Sequence, residues 1–423
     1  MIHTCLQRIF LAAFLTMYYI GCNAGAEKGE VVFWALGAEG EHVAKLMPEF
    51  ERRNPEIKVR VQMIPWNAAH EKLLTAFASN SLPDISQLGN TWIPEFRMLN
   101  AIENLNPRLG SSSTLKETSY FPGIWDTNII DSSLYGIPWY VDTRVIFYRT
   151  DLLALAGYDR PPVSWDEWFD VSRKIVQQEI AESAILLPTN NEWAPQVILG
   201  LQKGSSLLRE NDTYGNFRGT EFRDAMTTFH KFFTERLAPV MAQQFANIYQ
   251  GMTQRQFAML ISGPWNIGEF SRRMPVELQD KWMTAPLPGP DGGIGVSLAG
   301  GSSLVMFRSS EKKEKVWKLI EYLSEPEVQM EFYRLTGDLP SRVEAWRNPL
   351  LAKNKYASAF FTQLNHVVAT PKIPEWEQIA QKVREVTELI STNSMTVDEA
   401  TMELDRAVDL MLEKRRWMAQ HEE

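Results

Sequence analysis

Strands and helices alternate from residue 31 onward, and this alternation is the feature that most restricts the fold. VVFWAL (31–36) has the apolar composition of a buried strand, and an amphipathic helix that ends at Pro55 follows it. KVRVQMI (58–64) alternates polar and apolar residues, as a strand with one solvated face does. A second helix leads to a third strand, DISQL (84–88). This β-α-β-α-β order predicts a mostly parallel sheet with helices on both faces.

The composition is that of a globular protein with a high tryptophan content. A chain of 423 residues is long enough for two domains. The net charge is −9, acidic and basic residues are mixed along the chain, and no Lys/Arg-rich block is present. We therefore expect no nucleic-acid partner. Several of the 14 tryptophans stand beside Gly, Pro, Asn or Asp rather than in apolar helical stripes.

The N-terminal residues have the pattern of a targeting segment. The apolar run IFLAAFLTMYYI is too short to span a membrane as a mature helix. YIGC (19–22) resembles the bacterial lipobox, whose Cys is lipidated and becomes N-terminal after cleavage, although Tyr19 stands where Leu is usual. We expect a lipoprotein signal peptide at 1–22, a lipidated Cys22 and a polar tether at 23–30. The alternative is an ordinary signal peptide with an incidental Cys.

The cysteines and histidines predict neither a disulfide nor a metal site. Cys5 lies in the segment expected to be removed, so the mature chain would keep Cys22 alone. The six histidines are scattered, without an HExxH motif or a comparable pair. We expect no cofactor and no metal.

A strand that carries charged residues marks the start of a second unit after residue 142. In IPWYVDTRVIFYR (137–149), side chains alternate between two faces. One face holds Trp139, Val141, Thr143, Val145 and Phe147, and the other holds Tyr140, Asp142, Arg144, Ile146 and Tyr148. An Asp in such a run needs a specific partner, because burial of a bare carboxylate is costly. Tyr140 has two interpretations, a cleft residue or a core tyrosine with a satisfied hydroxyl.

Seven stretches, in sequence order, carry a resemblance to a known family. They are PEFERRNPEIKVRVQMIPW, TAFASNSLPDISQLGNTWIPEF, YGIPWYVDTRVIFYRTDLLALAGYDRPPVSWDEW, AMLISGPW, AGGSSLVMF, GDLPSR and TPKIPEWEQI. Together, behind a lipobox, they resemble the extracellular solute-binding proteins of ABC importers, in the sugar-binding group that includes maltose-binding proteins. One departure is QRQFAM (254–259), which stands where the family often has Gly-Lys-Ala-Ala-Met.

The resemblance implies a two-lobed α/β fold with a ligand cleft between the lobes. Each lobe would be a mostly parallel sheet flanked by helices, and hinge strands would join the two. The N-terminal lobe would comprise 31–141 plus 297–328, and the C-terminal lobe 142–296 plus 329–423. Open sheets of this kind place a crevice beyond the carboxyl ends of their strands, and hinge closure would exclude water from it.

The candidate ligand-binding residues follow from this arrangement. A sugar site needs carboxylates, amides and guanidinium groups for hydroxyls, and flat aromatic rings for the C–H face of the sugar. Some candidates follow the first three strands, some lie in the first crossover, and others match loops of the family. The full set is Glu39, Trp66, Asn90, Trp92, Tyr140, Asp142, Trp265, Gly300, Gly301 and Arg342. The two glycines would allow backbone amides to approach the ligand closely.

The predicted function is capture of a carbohydrate by a monomer without enzymatic activity. The partners would be the sugar, the transmembrane subunits of an ABC permease, and the membrane through the lipid anchor on the outer side of the cell membrane. Two alternatives remain. In the first, the same fold binds another small solute, such as a glycerol phosphodiester or a polyamine. In the second, Glu39 and Asp142 form the carboxylate pair of a surface glycosidase.

Overall fold

The computed structural model describes residues 29–189, 192–240 and 247–421, which form a mixed α/β structure. The strands of this part are β1 (Val31–Leu36), β2 (Val59–Ile64), β3 (Ile85–Gly89), β4 (Ile129–Ile130), β5 (Ser133–Leu134), β6 (Ile137–Asp142), β7 (Val145–Arg149), β8 (Ser183–Leu186), β9 (Leu208–Arg209), β10 (Tyr214–Gly215), β11 (Phe257–Ser262), β12 (Trp282–Ala285), β13 (Ser297–Leu298), β14 (Gly300–Met306), β15 (Leu339–Pro340) and β16 (Val367–Val368). The predicted signal peptide and Cys22 lie outside the described residues.

The helices surround the sheets. They are α1 (Gly37–Val43), α2 (Met47–Arg53), α3 (Trp66–Ala78), α4 (Ile93–Met98), α5 (Asn106–Leu109), α6 (Pro122–Asp126), α7 (Thr150–Leu155), α8 (Trp165–Gln177), α9 (Ala194–Gln202), α10 (Thr220–Thr234), α11 (Ile248–Thr253), α12 (Trp265–Arg273), α13 (Lys313–Leu323), α14 (Pro326–Thr336), α15 (Pro349–Ala352), α16 (Ser358–Leu364), α17 (Trp376–Ser391), α18 (Val397–Met411) and α19 (Glu413–Ala419). Within the described ranges, none of these helices is long and apolar enough to cross a membrane.

The larger sheet has the strand order β15-β6-β14-β3-β1-β2 and forms the centre of the first lobe. The three predicted strands are confirmed, and β1 pairs in parallel with both β2 and β3. The sheet is mixed, because β14 lies antiparallel between β3 and β6. The chain returns from the second lobe before β14, and β14 therefore runs opposite to its neighbours in the sheet. The sequence of the first three strands does not reveal this insertion.

The smaller sheet, of order β12-β7-β11-β8, forms the centre of the second lobe. Strand β11 is parallel to β8 and antiparallel to β7, and β12 is also antiparallel to β7. Helices α8, α10, α17 and α18 supply buried apolar side chains to the core on one side of it. The predicted Thr396/Glu399 capping box is present at the start of α18.

Strands β6 and β7 form one continuous run that belongs to both sheets in turn, with Thr143 and Arg144 between them. The first half is fixed by Trp139, which is fully buried and stacks on Phe332 at 4.4 Å. An apolar cluster that includes residues of both halves, among them Val141 and Phe147, packs along the crossover. Tyr140, Asp142 and Arg144 of this run lie at the cleft, and its apolar residues pack into the cores of the two lobes.

The return of the chain to the second lobe occurs later than the sequence indicated. The expected boundary at residue 328 falls inside α14, whose Val328 and Phe332 are buried in the core of the first lobe. Strand β15 then pairs with β6 in the larger sheet. The first lobe therefore extends at least to Pro340, because α14 and β15 pack against the strand through which the chain left this lobe.

Gly301 allows β14 to approach the crossover strand. Its φ is +123°, and a Cβ at this position would lie 2.3 Å from the carbonyl oxygen of Tyr140 and 2.9 Å from Cα of Val141. Both neighbours are backbone atoms of a buried strand and cannot move independently. The close approach of β14 to β6 therefore requires glycine at position 301.

Gly301→Ala should lower the free energy of unfolding by about 2–4 kcal/mol, because it combines backbone strain with a clash against a fixed strand. Gly268→Ala is the matched control, since a Cβ at Gly268 in α12 meets no described residue within 4 Å. Urea unfolding of the two variants measures the difference. A midpoint for Gly301→Ala equal to that of the wild type would contradict this account of the β6–β14 contact.

Candidate ligand-binding cleft

A cavity of about 680 Å³ is lined by residues of both lobes. Its walls are the ends of β1, β2 and β3 with the helical turns that follow them, the crossover after β6, the start of α12 and the β13–β14 connection. Nine of the ten predicted site residues line this cavity. They are Glu39, Trp66, Asn90, Trp92, Tyr140, Asp142, Trp265, Gly300 and Gly301.

Tyr140 connects three elements of the first lobe at the floor of the cleft. Its hydroxyl donates to Oε1 of Glu39 at 2.9 Å and accepts from Nε2 of Gln87 and Oγ of Ser302, each at 3.0 Å. Burial, together with the negative charge of Glu39, raises the pKa of Tyr140 well above its ordinary value. The neutral hydroxyl therefore keeps its proton toward Glu39 and fixes that carboxylate. Both interpretations of Tyr140 apply, since it is buried and also lines the cavity.

Asp142 finds its partner in Arg144, which lies two residues further along the same run. Nη1 of Arg144 bonds Oδ1 of Asp142 at 2.6 Å, and Nη2 bonds Oε2 of Glu192 at 3.0 Å. The guanidinium also lies over the indole of Trp265, 4.7 Å from its centroid. Burial raises the pKa of Asp142, and the charge of Arg144 opposes that shift. One cation thus joins the crossover to two segments of the second lobe.

Asp338 is a cavity residue that sequence reasoning missed. It follows Gly337, which ends α14 in the left-handed conformation at φ +85°, and its amide donates to Oγ1 of Thr336 at 3.0 Å. Burial, followed by the negative charges of Glu39 and Asp142, raises the pKa of Asp338 to about 7. No ion pair to Asp338 or Glu39 occurs among the residues that the structure describes.

Arg342, from the same GDLPSR loop, is a correction to the expected site. Its side chain is buried away from the cavity, where Nη1 donates to the carbonyl oxygens of Ser324 at 2.9 Å and of Thr114 at 3.1 Å. The guanidinium also lies 5.4 Å from the ring centroid of Tyr120. Arg342 therefore joins segments of the first lobe, and it is Asp338 in this loop that faces the cleft.

The aromatic residues offer open surface on opposite sides of the cavity. Trp66, at the start of α3, is 37% exposed, and Trp265, at the start of α12, is 46% exposed. Trp92 packs edge-on against Trp66 with 5.8 Å between centroids. Trp193, which is not among the predicted site residues, also lines the cavity and packs against the buried Trp376. Exposed indoles of this kind can stack on a flat apolar ligand face.

Asn90 has an amide donor without a partner in the described part of the chain. Its Oδ1 accepts from Oγ of Ser303 at 3.1 Å, whereas its buried Nδ2 meets no hydrogen-bond acceptor among the described residues. A buried donor without a partner costs free energy, and because Asn90 lines the cavity, a ligand oxygen can serve as the acceptor. Within the described ranges, no group of three or more His, Cys, Asp or Glu side chains is arranged to hold a metal ion.

Comparison with known proteins defines the class of this protein. Residues 34–330 match the model of the bacterial extracellular solute-binding proteins, and the chain belongs to that family.

Individual relatives are similar to this protein over most of its chain. The structure of the sugar-binding protein MalE from Xanthomonas citri is 48% identical in sequence, with a TM-score of 0.90, over 93% of this chain and 100% of that chain. An ABC transporter solute-binding protein of Thermotoga lettingae, bound with α-D-tagatose, is 25% identical with a TM-score of 0.76, over 91% of this chain and 100% of that one. The diacetylchitobiose-binding protein DasA of Streptomyces coelicolor is 26% identical over 371 residues, which are 85% of this chain and 84% of DasA.

The raised pKa of Asp338 predicts a stability that depends on pH. Between the ordinary pKa of Asp and about 7, the folded chain holds a proton at Asp338 that the unfolded chain has lost, so this group lowers stability as pH rises through that window. Asp338→Asn removes this effect. The free energy of unfolding of the variant, relative to that of the wild type, should therefore increase between about pH 5 and about pH 8.

Urea unfolding at both pH values measures this gain. Asp291→Asn, in an exposed turn, is the control and should show no such change. A difference between Asp338→Asn and wild type that is the same at both pH values would contradict a protonated carboxyl at the cleft.

Proposed function

We propose that this protein is the extracytoplasmic carbohydrate-binding component of an ABC importer, and that it captures a di- or oligosaccharide by closure of its lobes. The observation that carries the proposal is the combination of groups in the inter-lobe cavity. Exposed indoles of Trp66 and Trp265 suit the C–H faces of sugar rings. Glu39 can accept from hydroxyl groups, and the free Nδ2 of Asn90 can donate to one.

The charges at the cavity argue against an anionic ligand. Arg144 is the one Arg or Lys among the described residues that line it, and its guanidinium is engaged by Asp142 and Glu192. A glycerol phosphodiester would need cations that converge on its phosphate. It would also face the negative charge of Glu39, which repels an anion.

Carboxyl groups at the cavity give an amine-bearing solute as the second candidate. Glu39 and Asp338 line the cavity without an Arg or Lys partner among the described residues, and a ligand ammonium group could pair with them. The aromatic surface and the amide of Asn90 favour the neutral sugar. A polyamine in the ligand panel below distinguishes the two candidates.

The relatives support capture rather than catalysis. DasA is described as binding diacetylchitobiose, and other relatives in Halalkalibacterium halodurans and Bacillus subtilis as binding arabinooligosaccharides and galactooligosaccharides. We therefore propose a binding function without hydrolysis. The glycosidase alternative would produce new reducing ends during incubation with oligosaccharides.

Transport requires a membrane partner, and we propose that a lipid on Cys22 keeps the protein at the outer side of the cell membrane. The lipobox-like YIGC supports this anchor. The protein, as a monomer, would deliver its sugar to the transmembrane subunits of the permease. A ligand can drive closure only if it binds the closed form more tightly than the open one, so contacts from both lobes are required.

Trp265→Ala should weaken sugar binding by at least about tenfold, because it removes a stacking surface at the cleft. The melting temperature of the unliganded protein should change little, since the indole is half exposed. Trp417→Ala is the matched control, since Trp417 in α19 is 58% exposed and lies outside the cavity.

Titration calorimetry measures the effect against maltose, maltotriose, diacetylchitobiose, arabinooligosaccharides, tagatose, a glycerol phosphodiester and spermidine. Saturable binding to one sugar class that is lost in Trp265→Ala supports the proposal. Binding of spermidine or the phosphodiester alone would overturn the sugar assignment, and equal binding by wild type and Trp265→Ala would remove Trp265 from the site.

A further inference from the structure

The indole of Trp265 rests on the backbone of Gly263. A Cβ built on Gly263 would lie 1.9 Å from Cζ3, 2.3 Å from Cη2 and 2.5 Å from Cε3 of the indole. These atoms form the outer edge of the six-membered ring. Any side chain at position 263 would therefore force the indole to move by about 1.5 Å or more to restore ordinary contact distances.

The path of the chain explains this contact. Strand β11 ends at Ser262, Pro264 caps α12, and Trp265 is the first residue of the helix. The indole of Trp265 therefore packs back over the end of β11, against Gly263, which is two residues earlier in the chain. Gly263 is buried and does not adopt a positive φ. Its backbone conformation is therefore open to other residues, and the space occupied by the indole is what excludes a side chain.

Arg144 restrains the indole from another direction. Its guanidinium lies over the ring, 4.7 Å from the centroid, and is itself held by Asp142 and Glu192. With Gly263 at its edge and Arg144 over a face, the indole has a defined orientation and still remains 46% exposed toward the cavity.

We propose that Gly263 is a positioning residue of the ligand cleft, which sets the orientation in which Trp265 meets a sugar ring. This role rests on the proposed function, because the orientation matters only if a flat ligand face stacks on the indole. A preformed aromatic surface avoids the loss of side-chain freedom on binding, which a free indole would incur.

The first lobe repeats the arrangement. A Cβ on Gly37 would lie 2.5 Å from Cδ1 and 2.9 Å from Nε1 of Trp66. Each lobe thus has an exposed cleft tryptophan that packs against a glycine. Gly37 also has φ +52°, so a substitution there would add backbone strain, and Gly263 is the cleaner position for a test.

The test compares Gly263→Ala, Trp265→Ala and the double variant, with Gly268→Ala as the control in the same helix. Affinity is measured by calorimetry with the sugar of the panel that binds the wild type. Gly263→Ala should weaken binding by about five- to tenfold, and it should have no further effect in the Trp265→Ala background, where no indole remains to be displaced. Gly268→Ala should bind as the wild type does.

Tryptophan emission without ligand provides a second readout. Gly263→Ala should change the emission spectrum of the wild type, and this change should vanish in a Trp265→Phe background. If Gly263→Ala fails to fold, the Gly263→Ala/Trp265→Ala double variant should fold, because the clash is gone.

The outcomes separate the two claims. Failure of wild type and Gly268→Ala to bind any sugar would overturn the proposed function, and the emission measurement would still decide whether Gly263 orients Trp265. Normal affinity of Gly263→Ala in a wild type that binds sugar would overturn the positioning role alone. The positioning role would also be overturned if Gly263→Ala lowered the affinity equally in the wild type and in the Trp265→Ala background.

Discussion

The strand run from Ile137 to Arg149 is shared by two sheets, and the position of the cleft depends on it. Its first half pairs in the larger sheet and its second half in the smaller one, so the two lobes cannot be placed independently. The apolar residues of the run pack into cores on either side of the crossover. Three of its polar residues, Tyr140, Asp142 and Arg144, line the cavity where the lobes face each other.

Burial of these polar residues is tolerated because each has defined partners. Tyr140 is held by Glu39, Gln87 and Ser302, and Arg144 is held between two carboxylates. A buried charge without such partners would be costly. Among the described residues that line the cavity, Nδ2 of Asn90 and Nε of Arg144 are the buried side-chain atoms without a hydrogen-bond partner. The protein contacts at the cleft are therefore largely satisfied, and Asn90 keeps a donor that a ligand oxygen can satisfy.

Much of this arrangement could be predicted from the sequence, because strand periodicity and strand ends are local properties. The alternation from residue 31 onward identified the first three strands, and the loops after them supplied Glu39, Trp66 and Asn90. The resemblance to a known family placed Trp265 at the cleft. The family match and the fold of the relatives confirm the two-lobed class.

The remaining features depend on contacts between distant segments, and local patterns do not contain them. The sequence placed the GDLPSR loop at the cleft, and it chose Arg342 as the contact. In the structure, Gly337 adopts a left-handed turn, Asp338 lines the cavity and Arg342 does not. The boundary at 328 was wrong, because the pairing of β15 with β6 joins residues 200 positions apart in sequence. The role of Gly263 depends on the rotamer of Trp265, which the sequence GPW does not specify.

The most direct measurement is a crystal structure of the protein grown with the sugar that binds most tightly in solution. We expect density for the sugar in the cavity between the lobes, with ring faces against Trp265 or Trp66 and a hydrogen bond from Nδ2 of Asn90. A second cavity of about 660 Å³, which Arg97 and Arg416 help to line, is the alternative location. Sugar in that second cavity, with an empty cleft, would contradict the account.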